Sequence, residues 1–164
     1  MFVSFGYETQ FLFDESFGCI YDTIMQPPRI VIDTNVLISA LRSRDGYAFR
    51  LLEQLGKGNF SVHLSVPLLM EYEEVLNREL PNLPVSQMVI DDVLDYLCDV
   101  AEVHEIFFLW RPFLRDPDDD MVLEVAVKAA CQYIVTFNRR DFTGVEQFSL
   151  EVVTPGEFLK RIGS

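Results

Sequence analysis

Two rhythms of apolar residues alternate along most of this chain. One is the short uninterrupted run, as in Ile30-Val31-Ile32 and Tyr133-Ile134-Val135. The other is a longer segment in which apolar residues return every three or four positions. The first run predicts a short, fully buried strand with Asp33 at its carboxyl end. A helix follows through Val36 to Leu41, and Tyr47 to Leu55 predicts a second helix stopped by Gly56 and Gly58. Phe60 to Val66 alternates as a strand. Pro67 suits a helical first turn, and Leu68, Leu69, Tyr72, Val75 and Leu76 carry a helix over 67–80 that Pro81 and Pro84 end. Val85 to Cys98 predicts another helix, Val100 to Phe108 an extended stretch with a short strand, and 117–131 a helix opened by acids. Strands over 132–136 and 151–153 and a final helix over 155–162 complete the pattern. Alternating strands and helices imply an α/β fold with a parallel sheet covered on both faces.

Residues 1–28 break this pattern. They hold Phe2, Phe5, Tyr7, Phe11, Phe13, Phe17 and Tyr21 and no basic residue, and they end at Pro27-Pro28. They read as an extension, with two short β segments around a turn at Asp14 to Ser16, packed on the domain at 29–164 or on a partner; Met25 is an alternative start. A chain of 164 residues suits one domain with a real core. No apolar run approaches the roughly 18 residues of a spanning helix. The N-terminus lacks the basic start of a signal peptide, so a cytoplasmic location with no membrane association is expected by default. Cys19, Cys98 and Cys131 are scattered and read as free thiols in a reducing compartment. The net charge of −13 argues against nucleic-acid binding through a general basic field. An acid excess reads first as solubility, and second as acids gathered into a cation site that meets phosphates only through a metal.

Four groups of polar residues stand at strand ends or helix starts. Asp33 is either the N-cap of the following helix or, with Thr34 capping instead, a ligand-holding acid where open α/β sheets bind ligands. Glu71 lies between Leu68 and Val75 on the flank of an apolar stripe, so among its neighbours Glu73 and Glu74 it best faces a cleft. In Asp116-Pro117-Asp118-Asp119-Asp120, Asp116 reads as an N-cap with Pro at N1, and Asp118 and Asp119 suit the helix dipole. An EF-hand loop fails there, because Met121 and Val127 stand where Gly and Glu are needed. Asp120 borders the buried face and needs a partner or a cation. Asn138 and Asp141 follow the strand ending at Thr136, as turn residues or as a second contribution to the Asp33 edge. His63 and His104 sit in apolar settings and read as packed rather than catalytic. Carboxylates without thiol or imidazole ligands suit Mg²⁺ or Mn²⁺.

In order and at these separations, Val31-Ile32-Asp33-Thr34-Asn35-Val36-Leu37-Ile38-Ser39-Ala40, Ser65-Val66-Pro67-Leu68-Leu69-Met70-Glu71-Tyr72-Glu73-Glu74-Val75-Leu76, Arg115-Asp116-Pro117-Asp118-Asp119-Asp120 and Ile134-Val135-Thr136-Phe137-Asn138-Arg139-Arg140-Asp141-Phe142 resemble the PIN-domain ribonucleases, and within them the VapC-like toxin branch. The resemblance covers about Ile30 to Ile162. It implies a three-layer α/β/α fold with a central parallel sheet and a Mg²⁺- or Mn²⁺-dependent endoribonuclease. It assigns Asp33, Glu71 and Asp120 as the first three acids, with Asp119 in reserve for the third, and Asn138 and Asp141 at the fourth corner. Thr34, Asn35 and Thr136 would steady these acids, and Arg139 and Arg140 would meet RNA phosphates. A cognate antitoxin and a homodimer are the implied partners, with the aromatics of residues 1–28 as one contact surface. Two other readings compete. One is a PIN-like binding module that no longer cuts. The other is a haloacid-dehalogenase-like phosphatase or a receiver domain, which also places an Asp after the first strand but wants a late Lys that this chain lacks near the site.

Overall fold

The computed structural model describes residues 26–107 and 112–163. The aromatic extension expected at residues 1–28, its β segments and Met25 fall almost wholly outside the described residues. The elements in chain order are β1 (Arg29–Ile32), α1 (Thr34–Arg42), α2 (Tyr47–Glu53), β2 (Ser61–Leu64), α3 (Val66–Glu79), α4 (Gln87–Val100), β3 (Glu102–Val103), α5 (Pro117–Lys128), β4 (Tyr133–Val135), β5 (Glu151–Val153) and α6 (Pro155–Arg161). The predicted segments therefore hold with most ends moved by one to two residues: β1 and α1 are longer than expected, α4 is displaced from 85–98 to 87–100, and most of the others are shorter or shifted by one. The extended stretch at 100–108 contracts to the two residues of β3, and α5 stops at Lys128 because Ala130 takes a positive φ of 50°.

All five strands are parallel, in the order β3-β2-β1-β4-β5. β1 lies at the centre, and Ile30, Val31 and Ile32 are at most 1% exposed. A strand covered on both faces has no polar side, which is why its sequence is apolar throughout rather than alternating. Burying each such side chain contributes about 1.5–3 kcal/mol.

The connections explain where a site can form. From β1 the chain steps outward to β2 and then β3, and it returns across β1 to reach β4 and β5. Crossovers of one hand then put α5 on the opposite face from α1 to α4. α5 packs against β1, β2 and β4, and it buries Val122, Leu123, Val125 and Ala126. On the other face, α1 buries Val36, Leu37, Ala40 and Leu41, and α3 buries Leu68, Tyr72, Val75 and Leu76. The strand order reverses between β1 and β4, so a crevice opens beyond their carboxyl ends. No helix among the described residues is long and apolar enough to cross a membrane.

Candidate acidic active site

Asp33 opens this crevice. Its amide nitrogen donates to Val135 O at 2.9 Å, so the β1–β4 pairing persists one residue past β1. Asp33 occupies the N-cap position of α1, yet its carboxylate makes no cap hydrogen bond. It is held from the side instead. Thr136 Oγ1 and Asn35 Nδ2 both donate to Asp33 Oδ2, at 2.5 and 2.6 Å. Asn35 Nδ2 also reaches Thr136 Oγ1 at 3.0 Å, and Asn35 Oδ1 accepts from the Phe137 amide at 3.2 Å. The Asn138 amide donates to Thr136 Oγ1 at 2.9 Å. One closed network thus ties the end of β1 to the turn after β4. Both side-chain donors of this network act on Oδ2. Beneath it, the buried Tyr72 hydroxyl of α3 donates to Ile32 O. Thr34 makes no comparable side-chain contact.

Burial raises the Asp33 pKa above the ordinary carboxylate value. The Thr136 hydrogen bond opposes that rise most, the nearby Asn35 and Thr34 amides add to the opposition, and the charge of Asp141 pushes the other way.

The acidic run divides its labour in a way that periodicity did not foresee. Asp116 caps α5, accepting from the Asp118 amide at 3.1 Å. Asp120, expected to be the third acid, is fully buried and turned away. Its two oxygens accept the backbone amides of Leu114 and Phe113, at 2.8 and 3.3 Å. The preceding loop thus supplies a partner that a carboxylate on the buried face requires. Asp119, the reserve, is the acid of this run that feels the charges of Asp33 and Asp141. It is half-buried, and its pKa is raised to about 7 by burial first, then by the charges of Asp33, Asp116, Asp141 and Asp118. It also lies in the first turn of α5, where the helix dipole favours a negative charge by about 0.3–1 kcal/mol. The net upward shift shows that burial and repulsion outweigh the dipole.

Glu71 joins from α3. It is half-buried, whereas Glu73 and Glu74 are exposed. Its pKa is raised by burial and then by Asp118 and Glu74, against Arg78. Asp119 is thus the acid common to both halves of the cluster: it feels Asp33 and Asp141 on one side, and Asp116 and Asp118, which also act on Glu71, on the other. Asp141 is half-buried in the turn after β4, and its amide donates to Asn138 O at 3.1 Å. Asn138 itself is exposed. Of the two arginines, Arg139 is engaged by Glu157 of α6 at 3.0 Å, while Arg140 has no ion pair among the described residues. That pairing counts against Arg139 as a ready phosphate contact. The sequence held no signal for the Glu157 partner, which lies in another element.

Charges from β1, the start of α5 and the turn after β4 thus act on one another at the carboxyl edge of the sheet, while Glu71 of α3 feels Asp118 and Asp116 at the start of α5. All-oxygen donors whose charges oppose one another suit a hard divalent cation, which relieves the repulsion. An apolar hollow of about 220 Å³ lies elsewhere, lined by Leu41, Phe49, Leu52, Val89 and Val93 among others and by none of these acids. Volume alone does not mark the chemistry here.

The model of the PIN domain family matches residues 29–140, well over half of the chain. The chain belongs to the PIN-domain family. The matched span begins with β1 and ends in the turn after β4, so it contains both walls of the crevice. PIN domains are generally nucleases and typically use a divalent metal, and that coarse function comes with membership. The phosphatase and receiver-domain alternatives give way to it. Among curated proteins, none matches the chain.

Proposed function

We propose that this PIN domain is a metal-dependent endoribonuclease, with Asp33, Asp119, Asp141 and Glu71 as the residues that hold Mg²⁺ or Mn²⁺. Asp119 replaces Asp120 in this set. The observation that carries the proposal is the raised pKa of two acids from separate elements, Asp33 and Asp119, with the charge of Asp141 acting on both. A fold has no structural use for such repulsion, and raised carboxylate pKa values mark functional sites. Thr34, Asn35 and Asn138 belong to the surrounds of the site rather than to the ligand set.

A bound divalent ion supplies Lewis acidity, lowering the pKa of water and offsetting charge on the phosphodiester. The chain's own residues do the rest. Asn35 and Thr136 fix the Asp33 carboxylate through Oδ2. Arg140 offers a phosphate contact. Phe137 is 46% exposed beside the network and offers a face on which an RNA base can stack. Base stacking and local cations let a chain of net charge −13 bind RNA without a general basic field.

The test is incubation of single-stranded RNA with Mn²⁺. The parent should cleave, and Asp33→Asn and Asp119→Asn should not, while both keep their circular dichroism spectra. Undiminished cleavage by either folded variant refutes the assignment. Motif resemblance to the VapC-like branch supports a role as the toxin of a toxin-antitoxin pair, with a cognate antitoxin and a homodimer. Growth arrest on expression, relieved by Asp33→Asn, tests the toxin role, and light scattering tests the dimer.

A further inference from the structure

Away from the crevice, on the outer side of the sheet, β2 and β3 bring two histidines together. His63 pairs in register with Glu102, and His104 follows β3 directly, its amide donating to Leu64 O at 2.8 Å. His63 is 1% exposed, His104 is half-buried, and the Glu102 side chain is open to solvent. His63 Nδ1 lies 2.8 Å from His104 Nε2 and 3.8 Å from Glu102 Oε2. One donor atom from each of the three residues lies within 4.8 Å of the others.

We propose that His63, Glu102 and His104 form a second cation site, for a borderline divalent transition metal of the Zn²⁺ class. The donor set is two imidazole nitrogens and one carboxylate oxygen, which selects that class over Mg²⁺. His63 Nε2 stands 2.9 Å from Ser61 Oγ. With its proton on Nε2 and donated to that hydroxyl, His63 keeps a lone pair on Nδ1, which accepts the His104 Nε2 proton across their 2.8 Å contact in the metal-free chain and turns to the cation when His104 takes its other tautomer. Burial, the neighbouring imidazole and Arg29 all favour the neutral His63 ring that metal binding needs, against the opposing pull of Glu102.

The geometry needs little change. With zinc bonds to nitrogen of about 2.0–2.1 Å, two tetrahedral ligands stand about 3.3 Å apart. The imidazole nitrogens would spread by about half an ångström, and the exposed Glu102 carboxylate would close on His63 Nδ1 by about half an ångström and on His104 by at most about 1.5 Å. Three protein ligands leave a fourth position for water. The ion would fasten the two-residue edge strand β3 to β2, a pairing otherwise held by very few backbone bonds. The site shares no residue with the acidic crevice, so it stands whether or not the chain cleaves RNA.

The test uses the full chain freed of metal with EDTA, then titrated with Zn²⁺, and separately with Co²⁺, in excess Mg²⁺ to fill any all-oxygen site. The parent should take up one Zn²⁺, gain thermal stability, and show the visible absorption of nitrogen-ligated Co²⁺. Asp119→Asn should do the same. His104→Gln should weaken Zn²⁺ binding by about 100-fold and lose the Co²⁺ bands, and Glu102→Gln should weaken binding by about tenfold. Because the Glu102 side chain is exposed, that variant remains informative if His104→Gln folds poorly. The proposal is overturned if the parent takes up no Zn²⁺ under excess Mg²⁺. It is equally overturned if Glu102→Gln and His104→Gln both bind Zn²⁺ as the parent does, or if Asp119→Asn abolishes uptake.

Discussion

Removing the charge of Asp119 should make the metal-free protein more stable, although it destroys the acid we place at the centre of the site. Its pKa stands near 7 in the fold against an ordinary value of 3.8. Each unit of difference corresponds to 1.36 kcal/mol, so a wholly buried group would carry roughly 4 kcal/mol of destabilisation when ionised. Asp119 is only half-buried and solvent screens it, which reduces the figure to roughly 1–2 kcal/mol. The sign follows from linkage. The folded pKa lies above the unfolded one, so the folded state holds more protons between about pH 4 and 7 and loses stability across that window as pH rises. Asp119→Asn cannot ionise and escapes that loss. In EDTA at pH 8.5 the variant should unfold about 3–6 °C above the parent, and at pH 4.5 by only about a quarter of that. Adding Mn²⁺ at pH 8.5 should then reverse the order, because binding stabilises the parent and not the variant. Urea or thermal unfolding followed by circular dichroism measures all three points. If Asp119→Asn is no more stable than the parent at pH 8.5, the repulsive cluster does not exist as described.

Asp120 should behave in the opposite way. Asp120→Ala strands the Phe113 and Leu114 amides and should cost about 2–4 kcal/mol, read from the urea midpoint at neutral pH. Equal stability to the parent would return Asp120 to the candidate ligands. Thr136→Val removes the strongest influence holding the Asp33 pKa down. Asp33 is already raised, so its stability cost grows as pH rises above the unfolded value. The variant should steepen that loss in unfolding titrations and shift the acid limb of any RNA-cleavage profile to higher pH. Arg140→Ala should weaken RNA binding and lower the salt slope by about one, measured by filter binding at several ionic strengths, whereas Arg139→Ala should do less because Glu157 already engages Arg139.

The sequence by itself determined the layers and the edge at which chemistry gathers. An apolar run with no polar side is a central strand because only a strand covered on both faces tolerates it, and so Ile30 to Ile32 announced β1. Asp33 and Glu71 stood out as candidates because each interrupts an apolar pattern, at a strand end or on the flank of a helical stripe, and Asp141 because it follows a second strand end. The network around Asp33 was half legible: the residue types of Asn35 and Thr136 were visible, but 101 positions separate the partners. Only the tertiary structure decided between Asp119 and Asp120. Helical periodicity places neighbouring residues about 100° apart and says which borders the core. It does not say whether the core offers a carboxylate two backbone amides from a loop. The loop at Phe113 and Leu114 supplied them to Asp120, while Asp119 feels the charges of Asp33 and Asp141, and on that difference rests our proposal of Asp119 over Asp120. The same limit hid the strand order, whose reversal between β1 and β4 creates the crevice, and the meeting of His63 with His104. Both arise from pairing between distant segments, which no local pattern encodes.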